Sequence, residues 1–217
     1  MQSTKRIFYD KLFPKKEGVK LQDLLIDEES ISYITTPYDS EKIGLLIAQY
    51  MEKKFNLNEK NITIVDASAC VGGDTITFCY MFGIVIPIEI NKLRFSYLLN
   101  NLKVYNIKNA YPVLGDSNKI IPDIQPTIDI IFLDPPWGGR GYKDFDKLEL
   151  TFGNSDLDVA IKNFFIKKPE LKLIVLKLPK NYNMEKLKEK LGNSFQITIY
   201  DFLKKMNIVM INKQINK

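Results

Sequence analysis

The sequence predicts an α/β fold built on a seven-stranded, mostly parallel sheet with helices on both faces and an antiparallel hairpin at its C-terminal end. Short runs rich in Ile, Val and Leu alternate with segments of helical periodicity. These runs are almost continuously apolar, which is typical of parallel strands that are buried on both faces. The last two runs are separated only by a short turn near residues 204–207, which predicts the hairpin.

The alternation of strands and helices extends over most of the chain. Segments whose apolar residues recur at helical spacing are predicted to be helices: residues 40–55, 75–82, 91–105 and 183–191. Short β-branched or apolar runs are predicted to be strands: residues 62–67, 84–90, 110–116, 127–134, 171–179, 195–203 and 207–213. The first 35 residues lack a clean period, so they predict only short helical pieces.

The composition excludes several classes of mechanism. The chain has 217 residues, 45% of them hydrophobic and 26% charged, which suits one globular domain. It contains no histidine, which excludes a Ser-His-Asp triad and a histidine-ligated metal. The two cysteines do not have the spacing of a zinc site, so we expect no metal. Any general base must be a carboxylate, lysine, tyrosine or backbone carbonyl.

Targeting signals and membrane spans are not expected. No apolar run approaches the roughly 18 residues that are needed to cross a bilayer. The N-terminal residues carry scattered charges rather than the apolar centre of a signal peptide. Two cysteines are too few for a disulfide framework. We therefore expect an intracellular protein, nuclear or cytoplasmic, that is not secreted and does not bind a membrane.

The positive charge of the chain is concentrated at its N-terminus. The net charge is +5, and residues 1–20 carry six lysines and arginines against two acids, a net of +4. Phe8, Tyr9 and Phe13 lie between these charges. Such a mixture suits phosphates and stacked bases. A solvated, lysine-rich terminus explains the composition equally well.

Four acidic residues occur where successive predicted strands end. They are Asp66, Glu89, Asp116 and Asp134. Because the carboxyl ends of parallel strands meet at one edge of a sheet, these side chains are predicted to line a ligand site. Glu89 lies 23 residues after Asp66, a spacing typical of an acid that accepts hydrogen bonds from ribose hydroxyls. Asp116 is placed to meet an adenine amino group or neighbouring backbone.

The loop after the first strand does not have the features of a phosphate site. It lacks the lysine of a GxxxxGK motif, and Asp74 would put a negative charge where a pyrophosphate should bind. A nucleoside with a positive or zwitterionic tail is favoured instead, and S-adenosylmethionine fits this description. Gly72-Gly73 alone is weak evidence, because an ordinary turn between strand and helix explains it.

The sequence DPPWGG at residues 134–139 resembles a motif of class I methyltransferases that act on an exocyclic amino nitrogen. More narrowly, it resembles the trimethylguanosine synthase family of RNA cap guanine-N2 methyltransferases. The resemblance extends over about residues 5–213. It includes the first motif at residues 66–75 and the helix after the second strand at residues 100–105. It also includes the turn after the fifth strand at residues 178–181 and the N-terminal substrate extension at residues 11–13 and 36–43.

The resemblance implies a role for each matching residue. The catalytic residues would be Asp134, Pro135 and Trp137. S-adenosylmethionine, with S-adenosylhomocysteine as its product, would be bound by Asp66, Ala67, Ala69, Gly72, Asp74, Thr75, Glu89, Asp116, Ser117 and Asp134. The 7-methylguanosine cap of an RNA or its phosphates would be bound by Phe13, Thr36, Asn101, Trp137 and Lys180. Residues 1–38 would form a substrate-binding extension and residues 39–217 the class I methyltransferase core.

The chemistry of amine methylation explains why these residue types occur together. An exocyclic guanine amine is a poor nucleophile, and acceptors for its N–H groups help it to pyramidalise toward the methyl donor. The Asp134 carboxylate and the Pro135 carbonyl are such acceptors. A 7-methylated guanine is positively charged, and the indole of Trp137 offers the best aromatic face for a cation. Gly138 and Gly139 let the backbone approach the base closely.

Three departures from the family pattern and several alternatives stay open. Cys70 replaces a glycine, Asp74 an asparagine, and Lys180 an arginine that would bind phosphate in a bidentate manner. Trp137 packed on the sheet edge, a solvated Lys180 and a capping Asn101 are the structural alternatives. An adenine-N6 methyltransferase and a non-catalytic cap- or RNA-binding module are the functional ones. For a cap guanine-N2 methyltransferase, the sequence leaves open whether the product is the 2,7-dimethylated or the 2,2,7-trimethylated cap.

Overall fold

One seven-stranded sheet organises the protein. A computed structural model describes residues 8–125 and 127–214. The chain forms the strands β1 (Thr63–Asp66), β2 (Ile84–Glu89), β3 (Val113–Leu114), β4 (Ile130–Leu133), β5 (Thr151–Phe152), β6 (Ser155–Asp156), β7 (Leu173–Pro179), β8 (Phe195–Tyr200) and β9 (Met206–Lys213). The large sheet has the order β3-β2-β1-β4-β7-β9-β8, and β5 and β6 form a separate small hairpin.

Residues 8–125 and 127–214 contain eight α-helices. They are α1 (Tyr9–Leu12), α2 (Glu28–Tyr33), α3 (Pro37–Phe55), α4 (Gly73–Met81), α5 (Lys92–Val104), α6 (Ser117–Ile120), α7 (Leu157–Lys167) and α8 (Met184–Leu191). Five of them, namely α2, α3, α5, α6 and α8, begin at a residue whose side chain caps the first turn. The side chains of Asn91 and Asn183 accept hydrogen bonds from the first turns of α5 and α8. The short hairpin β5–β6 and helix α7 were not predicted from the sequence.

The two faces of the sheet are covered by different helices. Along β4, Ile130 and Phe132 belong to a core cluster with residues of α3, α4 and α5. The alternate residues Ile131 and Leu133 belong to a second cluster with residues of α7 and α8. Because successive side chains of a strand point to opposite faces, the sheet is buried on both sides. The predicted α/β fold with helices on both faces is therefore confirmed.

The strand order places a switch point between β1 and β4. From β1 the chain proceeds outward through β2 to β3, and then returns to the other side of β1 for β4 and β7. All of these neighbours are parallel, whereas β9 is antiparallel to β7 and β8. The C-terminal antiparallel hairpin is thus as predicted. In open sheets of this kind, ligands bind beside the carboxyl ends of the strands at the switch point.

The N-terminal segment packs into the main core. Phe13 and Leu24 are fully buried in the cluster that also contains residues of α3 and α4. The sequence-based expectation was that Phe13 contacts the cap. In the structure its ring has no exposed surface with which to bind a ligand, because it fills the core under the sheet. The division of the chain at residue 38 stays a prediction.

Asn101 also differs from expectation. It is fully buried in α5, where its Nδ2 donates hydrogen bonds to the carbonyls of Leu25 (2.8 Å) and Val71 (2.9 Å). Its Oδ1 accepts from the backbone N–H of Leu25 (2.8 Å) and from Asn100 Nδ2 (3.2 Å). The amide is therefore occupied in joining the N-terminal segment to the loop after β1, rather than directed at a substrate.

None of the helices within residues 8–125 and 127–214 combines the length and the apolar character that a bilayer span requires.

Replacing Asn101 by Ala should lower the free energy of unfolding by about 2–4 kcal/mol, because buried backbone groups of Leu25 and Val71 lose their partner. Urea denaturation measures this change. Asn100→Ala is the matched control, since Asn100 is only partly buried and donates to the Asp23 carbonyl. Equal losses for the two variants would contradict the anchoring role of Asn101.

Candidate functional site

The loops after β1 and β4 are hydrogen-bonded to each other at the switch point. Asp66 is the last residue of β1, and Asp134 directly follows β4. The Ser68 hydroxyl accepts a hydrogen bond from the backbone N–H of Asp134 (2.9 Å), and the backbone N–H of Ala67 donates to Phe132 (2.9 Å). The two loops therefore form one rim, and both acids lie on it.

A buried lysine connects this rim to neighbouring elements. Lys177, on β7, is 2% exposed. Its Nζ forms ion pairs with Asp134 Oδ2 and with Asp74 Oδ2 (3.4 Å), and donates a hydrogen bond to Thr35 Oγ1 (2.5 Å). Thr35 Oγ1 in turn donates to Asp74 Oδ2 (2.6 Å). We call Thr35, Asp74, Asp134 and Lys177 the buried charge cluster.

The charges in this cluster influence each other. Burial raises the pKa of Asp134 to about 6. Lys177 and the nearby indole N–H of Trp137 act in the opposite direction, whereas Asp74 adds to the increase. Burial alone would lower the pKa of Lys177, but the charges of Asp134 and Asp74 outweigh it, so the pKa lies above its ordinary value. Lys177 therefore stays protonated at neutral pH.

The loop after β1 has a backbone that suits small residues. Cys70 and Gly72 adopt left-handed conformations, with φ of +50° and +96°. A Cβ atom on Gly72 would also lie 2.9 Å from Leu98 Cδ1, so a larger residue would disturb α5. The positive φ of Cys70 is a conformation that glycine adopts at a lower cost than other residues.

Glu89 closes the other side of this loop. Its Oε2 accepts from the backbone N–H of Cys70 (2.8 Å), and its Oε1 accepts from that of Asn91 (2.7 Å). Each carboxylate oxygen can accept a further hydrogen bond, so two hydroxyl donors can be bound in addition. Asp116 is partly buried at the start of α6, where its Oδ1 accepts from the Asn118 N–H (3.0 Å).

Several predicted cofactor residues have internal hydrogen bonds. Asp66 is 2% exposed, and its Oδ2 accepts from Thr75 Oγ1 (2.6 Å). Thr75 is fully buried, and the Ser117 hydroxyl donates to the Ala67 carbonyl (2.6 Å). Ala69 is buried as well. These side chains lie beneath the loop and hold it in shape.

Asp74 has one oxygen available. Its Oδ1 is buried and has no hydrogen-bond partner within the part of the chain that the structure describes. A buried carboxylate oxygen without a partner is costly, so a cationic ligand group beside it would be stabilised. In that same part of the chain, no group of three or more His, Cys, Asp or Glu side chains could hold a metal ion.

The loop after β4 combines a rigid start with an open end. Pro135 is buried and Pro136 is exposed, whereas Trp137 is partly buried and contacts Tyr142 edge-to-face, with ring centroids 5.2 Å apart. The indole Nε1 is buried and reaches no hydrogen-bonding geometry with any described residue, although it lies close enough to Asp134 to affect its pKa. Gly138 and Gly139 have positive φ, and nothing lies within 4 Å of an added Cβ.

The remaining predicted substrate residues are exposed. The side chain of Thr36 caps α3 by accepting from the Asp39 N–H (3.2 Å). Lys180 follows β7, and its Nζ donates to the Asp201 carbonyl (2.7 Å). Of the basic residues at the N-terminus, Lys15 pairs with Asp10 (3.4 Å) and Lys16 Nζ lies 3.5 Å from the ring centroid of Tyr80. Lys5 and Arg6 lie outside the described residues.

Sequence reasoning missed Lys177, Thr35 and Ser68. The signal for Lys177 was present, because a lysine inside the apolar run LIVLKLP must be paired if the strand is central. No sequence pattern identifies Thr35 and Ser68, since the hydrogen-bond partner of a hydroxyl group depends on which loops lie next to each other in the folded protein.

The ionisation of Asp66 predicts a dependence of stability on pH. Burial raises its pKa to about 7, although the hydrogen bond from Thr75 opposes this. Its contribution to stability is therefore complete below about pH 4 and is lost as the pH rises through about 7. Asp66→Asn should remove this loss and raise the free energy of unfolding at pH 8.5 by about 2–3 kcal/mol relative to its effect at pH 5. If urea denaturation shows the same effect of Asp66→Asn on the free energy of unfolding at both pH values, the raised pKa of Asp66 is contradicted.

Solved methyltransferases have a similar fold. A putative methyltransferase from Streptococcus mutans in complex with SAH is 16% identical, covers 83% of this chain and 99% of its own, and gives a TM-score of 0.53. A putative RNA methyltransferase from Pyrococcus horikoshii is 15% identical, with coverages of 88% and 93% and a TM-score of 0.57. At these identities the similarity concerns the fold, and it confirms the class I methyltransferase architecture.

Sequence comparisons are more specific. An uncharacterized protein of Acanthamoeba polyphaga mimivirus is 32% identical over 218 residues, which cover 93% of this chain and 84% of that protein. The trimethylguanosine synthase of Schizosaccharomyces pombe is 33% identical over 84 residues, which are 36% of this chain and 35% of the yeast protein. The sequence model of the RNA cap guanine-N2 methyltransferase family matches residues 61–216. This chain belongs to that family of methyltransferases.

Proposed function

We propose that the protein transfers methyl groups to the exocyclic N2 of a 7-methylguanosine RNA cap. One observation carries the proposal: the Asp134 carboxylate lies on the switch-point rim, close to Trp137, with one oxygen paired to Lys177. No hydrogen bond or ion pair to the other oxygen, Oδ1, is formed within residues 8–125 and 127–214, although the indole N–H of Trp137 lies near enough to the carboxylate to lower its pKa. The Pro135 carbonyl likewise accepts no hydrogen bond within these residues. Two acceptors are thus available beside an aromatic ring.

The methyl donor is S-adenosylmethionine, as the family and the class I fold indicate. When bound, it supplies a methyl group activated by a sulfonium. The unpartnered Asp74 Oδ1 suits the ammonium group of its methionine part, and Glu89 suits the ribose hydroxyls. The left-handed turn at Gly72 keeps the loop open at the carboxyl end of β1.

On the acceptor side, Asp134 and Pro135 act on the guanine amine. Hydrogen bonds from the amine to Asp134 Oδ1 and to the Pro135 carbonyl draw its nitrogen out of conjugation with the ring, so that its lone pair becomes available. The buried Pro135 has no N–H group that could compete for these acceptors. Most of the remaining rate acceleration is expected from alignment of amine and methyl group.

Trp137 is proposed to select the methylated base. A 7-methylguanine carries a positive charge, and an indole face attracts a cation by about 0.5–2 kcal/mol. The edge-to-face contact with Tyr142 and the packing against both core clusters fix the plane of the ring. Stacking on this fixed plane would orient N2 toward Asp134. The match to the yeast trimethylguanosine synthase supports this substrate.

A transfer assay tests the proposal. Purified protein and labelled S-adenosylmethionine are incubated with RNA that carries a 7-methylguanosine cap, with RNA that carries an unmethylated guanosine cap, or with uncapped adenine-containing RNA. We expect transfer only to the 7-methylated cap, and mass spectrometry of the product distinguishes one added methyl group from two. Transfer to adenine would identify an adenine-N6 methyltransferase, and binding of cap and donor without transfer would identify a cap-binding module.

Trp137→Ala should weaken the binding of 7-methylguanosine triphosphate by about 10–100-fold, because the stacking and cation–π contacts are lost. Isothermal titration calorimetry with the cap analogue and separately with S-adenosylhomocysteine measures the effect, and the second affinity should be unchanged. Trp137→Phe is the matched control and should retain part of the affinity. Undiminished binding by the Ala variant would exclude the stacking role.

Asp134→Asn should reduce kcat by about 100-fold or more, because the negative charge that polarises the amine is lost. In the unmodified protein kcat should fall as the pH drops through about 6, since Asp134 becomes protonated there. Steady-state kinetics between pH 5 and 9 test both statements. Asp129→Asn, which changes a carboxylate at the opposite end of β4, is the control that should keep this acid limb, and a pH-independent kcat would contradict the role of Asp134.

A further inference from the structure

Lys177 is a buried charged residue that contacts neither substrate in the proposed reaction. It is the one charged residue of β7, in the run LIVLKLP, and its neighbours on both sides belong to the core clusters. Burying an ammonium group is unfavourable unless it is paired, and an apolar residue would fill the same position at lower cost. Lys177 differs from an apolar residue at this position in that its ammonium group is paired with two carboxylates and a hydroxyl group.

The partners of Lys177 come from both sides of the switch point. Asp134 belongs to the loop after β4, where the acceptor amine would bind, and Asp74 belongs to the first turn of α4, beside the donor. Thr35 precedes α3 and completes the contact. A single ammonium group thus links the acceptor side, the donor side and the N-terminal segment.

We propose that Lys177 is a positioning residue for methyl transfer: by binding Asp134 Oδ2 it keeps this carboxylate ionised and oriented, so that Oδ1 receives the acceptor amine. The role in transfer rests on the proposed function, whereas the coupling between Lys177 and Asp134 does not. Lys177 touches no substrate in this scheme and acts through Asp134.

The charges around Asp134 show why a cation is needed. Asp74 on α4 faces it, Asp66 at the end of β1 lies near enough to interact with it, and Trp137 in its own loop offers only an indole N–H. Lys177 on β7 is the cation that is paired with this set. Without it, three carboxylates face each other in a buried site, and protonation of Asp134 becomes more favourable.

The direct test measures the ionisation of Asp134 by carbon-13 NMR of protein labelled at the aspartate carboxyl carbons, with the signal assigned through Asp134→Asn. In Lys177→Met the titration midpoint of Asp134 should rise by about one pH unit or more. Lys177→Arg, which restores a cation, should return it toward that of the unmodified protein. Lys172→Met is the matched control, because it removes an ion pair with Asp129 (2.7 Å) at the opposite ends of β4 and β7, and it should leave the midpoint unchanged.

Kinetics then distinguish positioning from a structural role. At pH 7, Lys177→Met should reduce kcat for the capped acceptor by about tenfold or more, with KM changed by less than about threefold. Raising the pH to 9 should recover part of kcat, because Asp134 ionises again, whereas Asp134→Asn should show no such recovery. A loss that arises only from reduced stability would not move the acid limb of the pH profile.

Should Lys177→Met fail to fold, Lys177→Gln replaces it, since glutamine also lacks the cation but can still form hydrogen bonds with Thr35 and Asp134 and leaves Asp74 in place. An Asp134 midpoint that is unchanged in the folded variant overturns the proposal, even if the cap is methylated normally. A raised midpoint in a protein that methylates no cap supports the Lys177–Asp134 coupling and overturns the proposed function instead.

Discussion

The protein depends on balancing acidic side chains where the strands of its sheet end. The negative charge of Asp74 lies close enough to raise the pKa of both Asp66 and Asp134, and Lys177 is paired with Asp74 and Asp134. A parallel sheet creates this problem, because its strands deliver their terminal residues to one edge. The repulsion between these carboxylates lowers the stability of the fold. In the proposed function, the same carboxylates accept hydrogen bonds from a cationic methyl donor and from an amine.

This charge balance also involves the N-terminal segment. Thr35 contacts both Lys177 and Asp74, while Phe13 and Leu24 fill the core beneath α3 and α4. Asn101 fastens residue 25 to the loop after β1. Residues 8–38 therefore shape the donor side of the site from below. In this segment, Thr36 and the basic residues around Lys16 have exposed side chains that a ligand could reach.

The fold and the row of acids at the strand ends could be predicted because both depend on short local patterns, namely apolar runs that end on Asp66, Glu89 and Asp134. Contacts between distant segments could not: nothing in LIVLKLP says that Lys177 meets Asp74 and Thr35, since this depends on strand order and loop packing. Phe13 and Asn101 were assigned to the substrate because a resemblance transfers residue types without burial. Strands β5 and β6 have two residues each, too few for a periodic pattern.

In the function that we propose, the base of the cap lies on Trp137 with its amine at Asp134. A crystal structure of the protein with S-adenosylhomocysteine and 7-methylguanosine triphosphate tests it most directly. We expect the guanine ring stacked on the indole and N2 about 2.7–3.2 Å from Asp134 Oδ1. A base bound away from Trp137, or one whose N2 points away from Asp134, would contradict the account.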